Sequence, residues 1–298
     1  MNKPYFNFFI IAGMPRAGTT FLYHNLQKHP QIFLPYRKET NYFSFNSYKG
    51  LEWFEDLYKG IKDDQIGGDI SPFYFLDERS IVHLKELCGD RKIIIVVRDP
   101  VEFSISAYSQ VNTYSPGKLV DFPGFLEYFK IDFDKSSIEF SLKNRGVDVI
   151  IDSYRKAFER NLLLINFELL RKDSLLFLRN IEKFIGVPHY FNRGNFDNML
   201  INASNRRNNK LLTKLMMNEK FIYFLNLCLP RKMLRLFRYW FDHLSARNKS
   251  NDCQYNNIPS DILLLAEDLF ARQRGYISEI FKHSSVVNGL LEPVDYLY

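Results

Sequence analysis

The chain has 298 residues, 46% of them hydrophobic and 16% aromatic, and a formal net charge of +6. That is enough apolar material for one large α/β domain or two small ones, and the positive balance favours an anionic partner: a nucleotide, an acidic glycan, a membrane surface or nucleic acid. Cys88, Cys228 and Cys253 form neither a C-x-x-C pair nor a metal-like cluster, so no metal is expected and a reduced, cytoplasmic setting is the simple reading. Phe8–Ala12 reads as a fully buried first strand, too short to span a bilayer and without a basic leader. Thr20–Lys28 follows as a helix with Phe21, Leu22 and Leu26 on one face. Further helices are expected at Glu78–Leu87 and Val101–Gln110, either side of a strand near Lys92–Val97. Residues 114–146 are irregular, broken by Pro116, Gly117, Pro123 and Gly124; such an insertion suits an acceptor lid or a surface excursion with a short helix. A strand at Leu162–Phe167 and one helix over Leu169–Ile185 come next, stopped by Gly186-Val187-Pro188. Alternation of this kind predicts a parallel sheet with crossover helices. Beyond residue 208 the chain reads as helical. There Arg231, Arg235 and Arg238 share one face of an amphipathic stretch over 231–241, suited to an ordinary packed helix or to an anionic membrane surface.

Gly13-Met-Pro-Arg-Ala-Gly-Thr-Thr20 has the frame of a Walker A loop, G-x-x-x-x-G-K-[ST], with Thr19 in place of the lysine. A loop between a buried strand and a helix start holds a phosphate by backbone N–H groups and the helix dipole. The Walker lysine serves the outer phosphates of a triphosphate, so its loss argues against a triphosphate, while Arg16 keeps a fixed charge in the loop. A second signal is Ile93-Ile-Ile-Val-Val-Arg98-Asp-Pro100 with Ser106 eight residues after Arg98. That spacing lets a guanidinium at a strand end and a hydroxyl on the next helix converge on one phosphate. A third segment, Lys38-Glu39-Thr40-Asn41-Tyr42-Phe43, carries a carboxylate that reads by itself as half of a surface Lys–Glu pair.

Together these segments resemble the sulfotransferases that use 3′-phosphoadenosine-5′-phosphosulfate (PAPS), of the bacterial carbohydrate or heparan type. P-[KR]-x-G-T-T is their 5′-phosphosulfate loop, and [ILV]-x-x-x-R-[ND]-P-x-x-x-x-x-S their 3′-phosphate motif. The resemblance implies a P-loop-type three-layer α/β fold with a central parallel sheet, forming a single domain over 1–298. The nucleotide core would occupy about 7–206 and a helical C-terminal part about 207–298. It implies PAPS as co-substrate and no metal. Arg16, Ala17, Gly18, Thr19, Thr20, Arg98 and Ser106 would bind it, with Arg206 and Arg207 of a basic loop closing over the nucleotide. Glu39 would be the catalytic base, and Arg16 and Lys38 the cations facing the leaving oxygen. Gly67-Gly-Asp-Ile-Ser-Pro-Phe-Tyr74 looks like the family's E-K-[ST]-P-x-Y segment, but Ile70 stands where the lysine is expected. The implied acceptor is a carbohydrate or glycolipid hydroxyl rather than nucleic acid, in the cytoplasm; peripheral membrane contact through 231–241 stays open beside the packed-helix reading. Oligomeric state is not legible. A P-loop small-molecule kinase, or a non-catalytic nucleotide-binding protein on the same fold, is the alternative; Thr19 speaks against the first, Glu39 and Arg16 against the second.

Overall fold

The computed structural model describes residues 4–114, 121–133, 136–142, 145–198, 233 and 260–288. A six-stranded sheet forms its centre. Strands β1 (Phe8–Gly13), β2 (Ile32–Phe33), β3 (Ile66–Ile70), β4 (Ile93–Val97) and β7 (Leu162–Asn166) run parallel, and β8 (Val286–Asn288) is antiparallel, in the order β2-β3-β1-β4-β7-β8. Every residue of β1 and β4 is buried, as strands covered on both faces require. The helices are α1 (Thr19–Leu26), α2 (Gly50–Asp56), α3 (Glu78–Cys88), α4 (Pro100–Tyr114), α5 (Phe122–Glu127), α6 (Val147–Phe158), α7 (Phe167–Lys172), α8 (Ser174–Ile185) and α9 (Ser260–Ile280). Three of them sit directly behind the strand ends that matter here: α1 after β1, α4 after β4 and α7 after β7.

The expected α/β architecture is present, with three local corrections. Leu169–Ile185 is two helices, because Asp173 leaves helical geometry and its carboxylate accepts from the Leu176 N–H to start α8. The irregular insertion contains α5 and an antiparallel hairpin, β5 (Phe129–Phe133) with β6 (Ser136–Phe140). The C-terminal part is not wholly helical either, since β8 joins the main sheet beside β7. The expected basic helix over 231–241 lies outside the described residues, apart from Met233.

The helix α9 is tied to the domain by polar contacts. Gln273 Oε1 accepts from the Val147 N–H at 3.0 Å, and Arg274 pairs with Asp99 at 2.8 Å, so α9 reaches both α6 and the residue before α4. Part of the core is aromatic: Phe8 contacts Phe43 and Phe54, Phe54 also contacts Phe43 and Tyr58, and Phe6 lies against Phe8 and Tyr58.

Gly68 permits the closest approach in this region. A Cβ there would lie 2.5 Å from Leu34 Cδ2 and 2.6 Å from Phe9 Cζ, both buried. Gly68→Ala is therefore expected to cost about 1–3 kcal/mol in urea unfolding, the usual range for overpacking a filled core.

Candidate active site

The parallel order places the C-terminal ends of β3, β1 and β4 side by side. The first two segments singled out above hang from β1 and β4, and Lys38–Phe43, which follows β2, is bonded to β3 through Thr40 and Asp69. The phosphate loop leaves β1 at Gly13. The Met14 N–H donates to the Val96 carbonyl at 2.9 Å, which ties the loop to β4. Gly18 caps α1 in left-handed geometry at φ +78°, and a Cβ on it would strike Leu170 Cδ2 at 2.5 Å, so no other residue fits. Ala17 and Thr19 are buried within the loop, leaving Thr20 half-exposed at its rim.

Arg16 gathers the second segment. Its Nε donates to Ser106 Oγ at 2.9 Å, and Arg98 Nη1 donates to its carbonyl at 2.6 Å. The structure thus brings Arg98 and Ser106 onto one residue of the loop. Proline at the first position of α4 and the Asp99 carboxylate, which accepts from the Val101 and Glu102 N–H groups, set the entry angle of that helix.

Lys38 gathers the third. Its ammonium donates to Thr20 Oγ1 at 3.1 Å and to Glu39 Oε1 at 2.7 Å. A cation absent from the loop itself is therefore supplied beside it from a different segment. Glu39 keeps 28% of its side chain exposed, and so stays open to a partner.

Among the described residues four non-glycine residues have positive φ: Arg16 (63°), Glu39 (64°), Asn41 (50°) and Glu159 (43°). Three of the four belong to this site. Each such conformation costs roughly 1–3 kcal/mol, and surrounding contacts must hold it.

Sequence reasoning missed several of those contacts. Glu102, one turn into α4, accepts from Arg98 Nε and Nη2 at 3.1 and 2.9 Å and from Arg171 Nη2 at 2.6 Å. Both guanidiniums also lie over the Phe167 ring. The i,i+4 spacing from Arg98 was a readable signal; Arg171, on α7, was not. Asp69, fully buried on β3, is the other. Its carboxylate accepts from the hydroxyls of Thr40, Ser71 and Tyr74 at 2.7–2.8 Å. Burial pushes the Asp69 carboxyl up from its ordinary value, against the pull of those hydrogen bonds. Burial and then the Asp69 charge push Tyr74 well above its ordinary value, so its phenol keeps its hydrogen.

Ile70 is buried. It is 3% exposed and part of the hydrophobic core, so it leaves no cation-sized place for the family's lysine to fill. Arg206 and Arg207 lie outside the described residues.

The model of the sulfotransferase domain matches residues 7–224. A membrane-associated sulfotransferase of Dictyostelium discoideum, kil1, is 37% identical over 103 residues, which are 34% of this chain and 22% of that protein. The mouse heparan sulfate glucosamine 3-O-sulfotransferase 3A1 is 28% identical over 198 residues, 62% of this chain and 48% of its own length. The chain thus spans about half the length of the mouse relative and less of the other. A crystal structure of a sulfotransferase from Alicyclobacillus acidocaldarius superposes with a TM-score of 0.52 at 22% identity, covering 66% of this chain and 85% of that one, and shows the same fold. No helix among the described residues is long and apolar enough to cross a membrane.

Glu102 supplies a pH-dependent test of the Arg98 anchor. Burial alone would raise its carboxyl, but the guanidiniums of Arg171 and Arg98 more than offset it and hold the value below the ordinary one. A depressed acid contributes stability above its unfolded-state value and loses it as pH falls through the folded one. Glu102→Gln is expected to lower urea stability by about 1 kcal/mol at neutral pH. The gap to the parent protein should close as pH falls below the ordinary glutamate range.

Proposed function

The chain belongs to the sulfotransferase domain family, and from that premise we propose that it moves a sulfuryl group from PAPS to a hydroxyl of a carbohydrate or glycolipid. The observation that carries this reading is the meeting of Lys38, Thr20 and Glu39 at the rim of a phosphate loop that lacks the Walker lysine. A triphosphate-directed loop needs that lysine within it, which disfavours the kinase reading. A loop serving a single 5′-phosphate, with Arg98 and Ser106 beside it for a second phosphate on the ribose, needs only fixed cations and amides. The loop amides from Ala17 to Thr20 would cradle the 5′-phosphate. Glu39 takes the proton of the acceptor hydroxyl as that oxygen forms its bond to sulfur. The bond from sulfur to the bridging oxygen breaks, and Lys38 and Arg16 meet the charge that gathers on the departing phosphate of 3′-phosphoadenosine 5′-phosphate. The carbohydrate class of acceptor is supported by the mouse relative, whose name places its action on heparan sulfate glucosamine.

Transfer of labelled sulfate from PAPS to a panel of glycans and glycolipids tests the reading. A labelled sulfate ester on one of them is the expected result, and no transfer to any acceptor under conditions where PAPS binds contradicts it. Glu39→Gln keeps the shape of the side chain and removes its proton affinity, so kcat is expected to fall roughly 100-fold or more while nucleotide affinity is unchanged. Retained turnover assigns the proton to another group. Arg98→Ala removes a charge-assisted, bidentate-capable donor and is expected to weaken binding of the 3′,5′-bisphosphate by about 2–4 kcal/mol in calorimetry.

A further inference from the structure

Three hydroxyls surround the Asp69 carboxylate, and each stands between it and a main-chain N–H of the segment after Glu39. The Asn41 N–H donates to Ser71 Oγ at 3.0 Å, and Ser71 donates to Asp69 Oδ1 at 2.8 Å. The Tyr42 N–H donates to Thr40 Oγ1 at 3.3 Å, and Thr40 donates to Asp69 Oδ2 at 2.7 Å. The Phe43 N–H donates to the Tyr74 hydroxyl at 3.2 Å, and Tyr74 donates to Asp69 Oδ2 at 2.7 Å. Three consecutive amides thus reach one buried carboxylate, each through one hydroxyl.

The direction of this array is not arbitrary. A hydroxyl has one hydrogen, and an ionised carboxylate only accepts. With Asp69 as the common acceptor, each hydroxyl spends its hydrogen on the acid and turns a lone pair towards its amide. The Thr40 and Tyr74 oxygens are themselves 3.2 Å apart, yet either could donate to the other only by releasing Asp69. An amide side chain in place of the acid would offer one acceptor and one donor. At least one hydroxyl would then face an N–H, and its own hydrogen, left without the carboxylate, would have to turn elsewhere and compete with the amide it accepts from, which weakens the clamp on residues 41–43. Asn46 adds a clamp from outside the array, its Nδ2 donating to the Thr40 carbonyl at 2.7 Å.

What this array holds is the strained turn of the site. Glu39 and Asn41 are both left-handed, flanking Thr40, and Thr40 and Asn41 are buried while Glu39 reaches outward to Lys38. We propose that Asp69 is the positioning residue for Glu39: as the single acceptor for three hydroxyls it fixes their direction, and they in turn clamp three consecutive amides so that the carboxylate is presented beside Lys38 and Thr20. This rests on the reading of Glu39 as the base. Asp69 itself touches no reacting atom.

The test is Asp69→Asn in the full chain, with three readouts. Amide hydrogen exchange at Asn41, Tyr42 and Phe43 should quicken on the order of tenfold, the worth of one lost buried hydrogen bond, with β4 unchanged. Turnover should fall at least about tenfold, because a base displaced by a fraction of an ångström loses its alignment. Affinity for the 3′,5′-bisphosphate should stay within about twofold, since the phosphate loop hangs from other strands; a general structural loss would move it as well. Unchanged exchange at the three amides overturns the proposal, and so does quickened exchange with unchanged turnover. Should Asp69→Asn not fold, Ser71→Ala and Tyr74→Phe carry the same test. Each removes one hydroxyl and should release only Asn41 or only Phe43, with a smaller loss of turnover; protected amides in both overturn the proposal. Failure of the base reading is a separate result: it shows as retained turnover in Glu39→Gln, whereas the exchange measurement needs no substrate.

Discussion

A parallel sheet presents the carboxyl ends of its strands along one edge, and at this site everything depends on which ends are neighbours. The order β3-β1-β4 sets the Asp69 carboxylate, the phosphate loop and Arg98 in adjacent positions, at the edge where open α/β sheets hold their ligands. The loop belongs to β1, yet it is fixed by the strand beside it: the Met14 N–H bonds to Val96, and Arg98 reaches the carbonyl of Arg16. Lys38 completes the arrangement from the far side, its ammonium on Thr20 and Glu39. Remove the register between β1 and β4 and Arg98 no longer reaches the loop.

Cations close together and backbone in left-handed geometry both cost free energy. Each cost is offset locally. Arg98 and Arg171 share Glu102 and the Phe167 ring, and that pairing keeps two guanidiniums close together beside the loop. The strain at Glu39 and Asn41 is met by the hydroxyl array on Asp69. An acid buried at such depth is tolerated only because every donor around it points inward. The site is thus held firmly at Thr40 and Asn41 while the Glu39 side chain stays partly exposed.

Much of this was legible in the residues. The sheet strands Phe8–Ala12 and Ile93–Val97 are short unbroken apolar runs, the second of them wholly β-branched, which suits a doubly covered strand, and the missing lysine in the phosphate loop is visible by inspection. Other features were hidden for physical reasons. The apolar period of Leu169–Ile185 runs straight through Asp173, and only the capping chemistry of that residue shows the break. The hairpin strand Phe129-Lys-Ile-Asp-Phe133 alternates with period two, but Pro116, Gly117, Pro123 and Gly124 nearby read as disorder of pattern. The role of Asp69 was half legible: a lone acid in Gly-Gly-Asp-Ile must find partners if the strand is buried. Ser71 and Tyr74 are close in sequence, whereas Thr40 is 29 residues away and no local reading connects them. Ile70 stands where the family has a lysine, and its direction was not legible in the sequence, since a strand alternates its faces; in this chain it belongs to the core.

The central claim is that a phosphate loop without its lysine, flanked by Arg98 and Ser106, is built for two single phosphates rather than a chain of them. Titration calorimetry of the unmodified protein with 3′-phosphoadenosine 5′-phosphate, ADP and ATP measures this directly. The account predicts that the 3′,5′-bisphosphate binds at least about tenfold more tightly than either of the others, the worth of one charge-assisted contact. Equal affinity for ADP and the bisphosphate, or a preference for ATP, would contradict it.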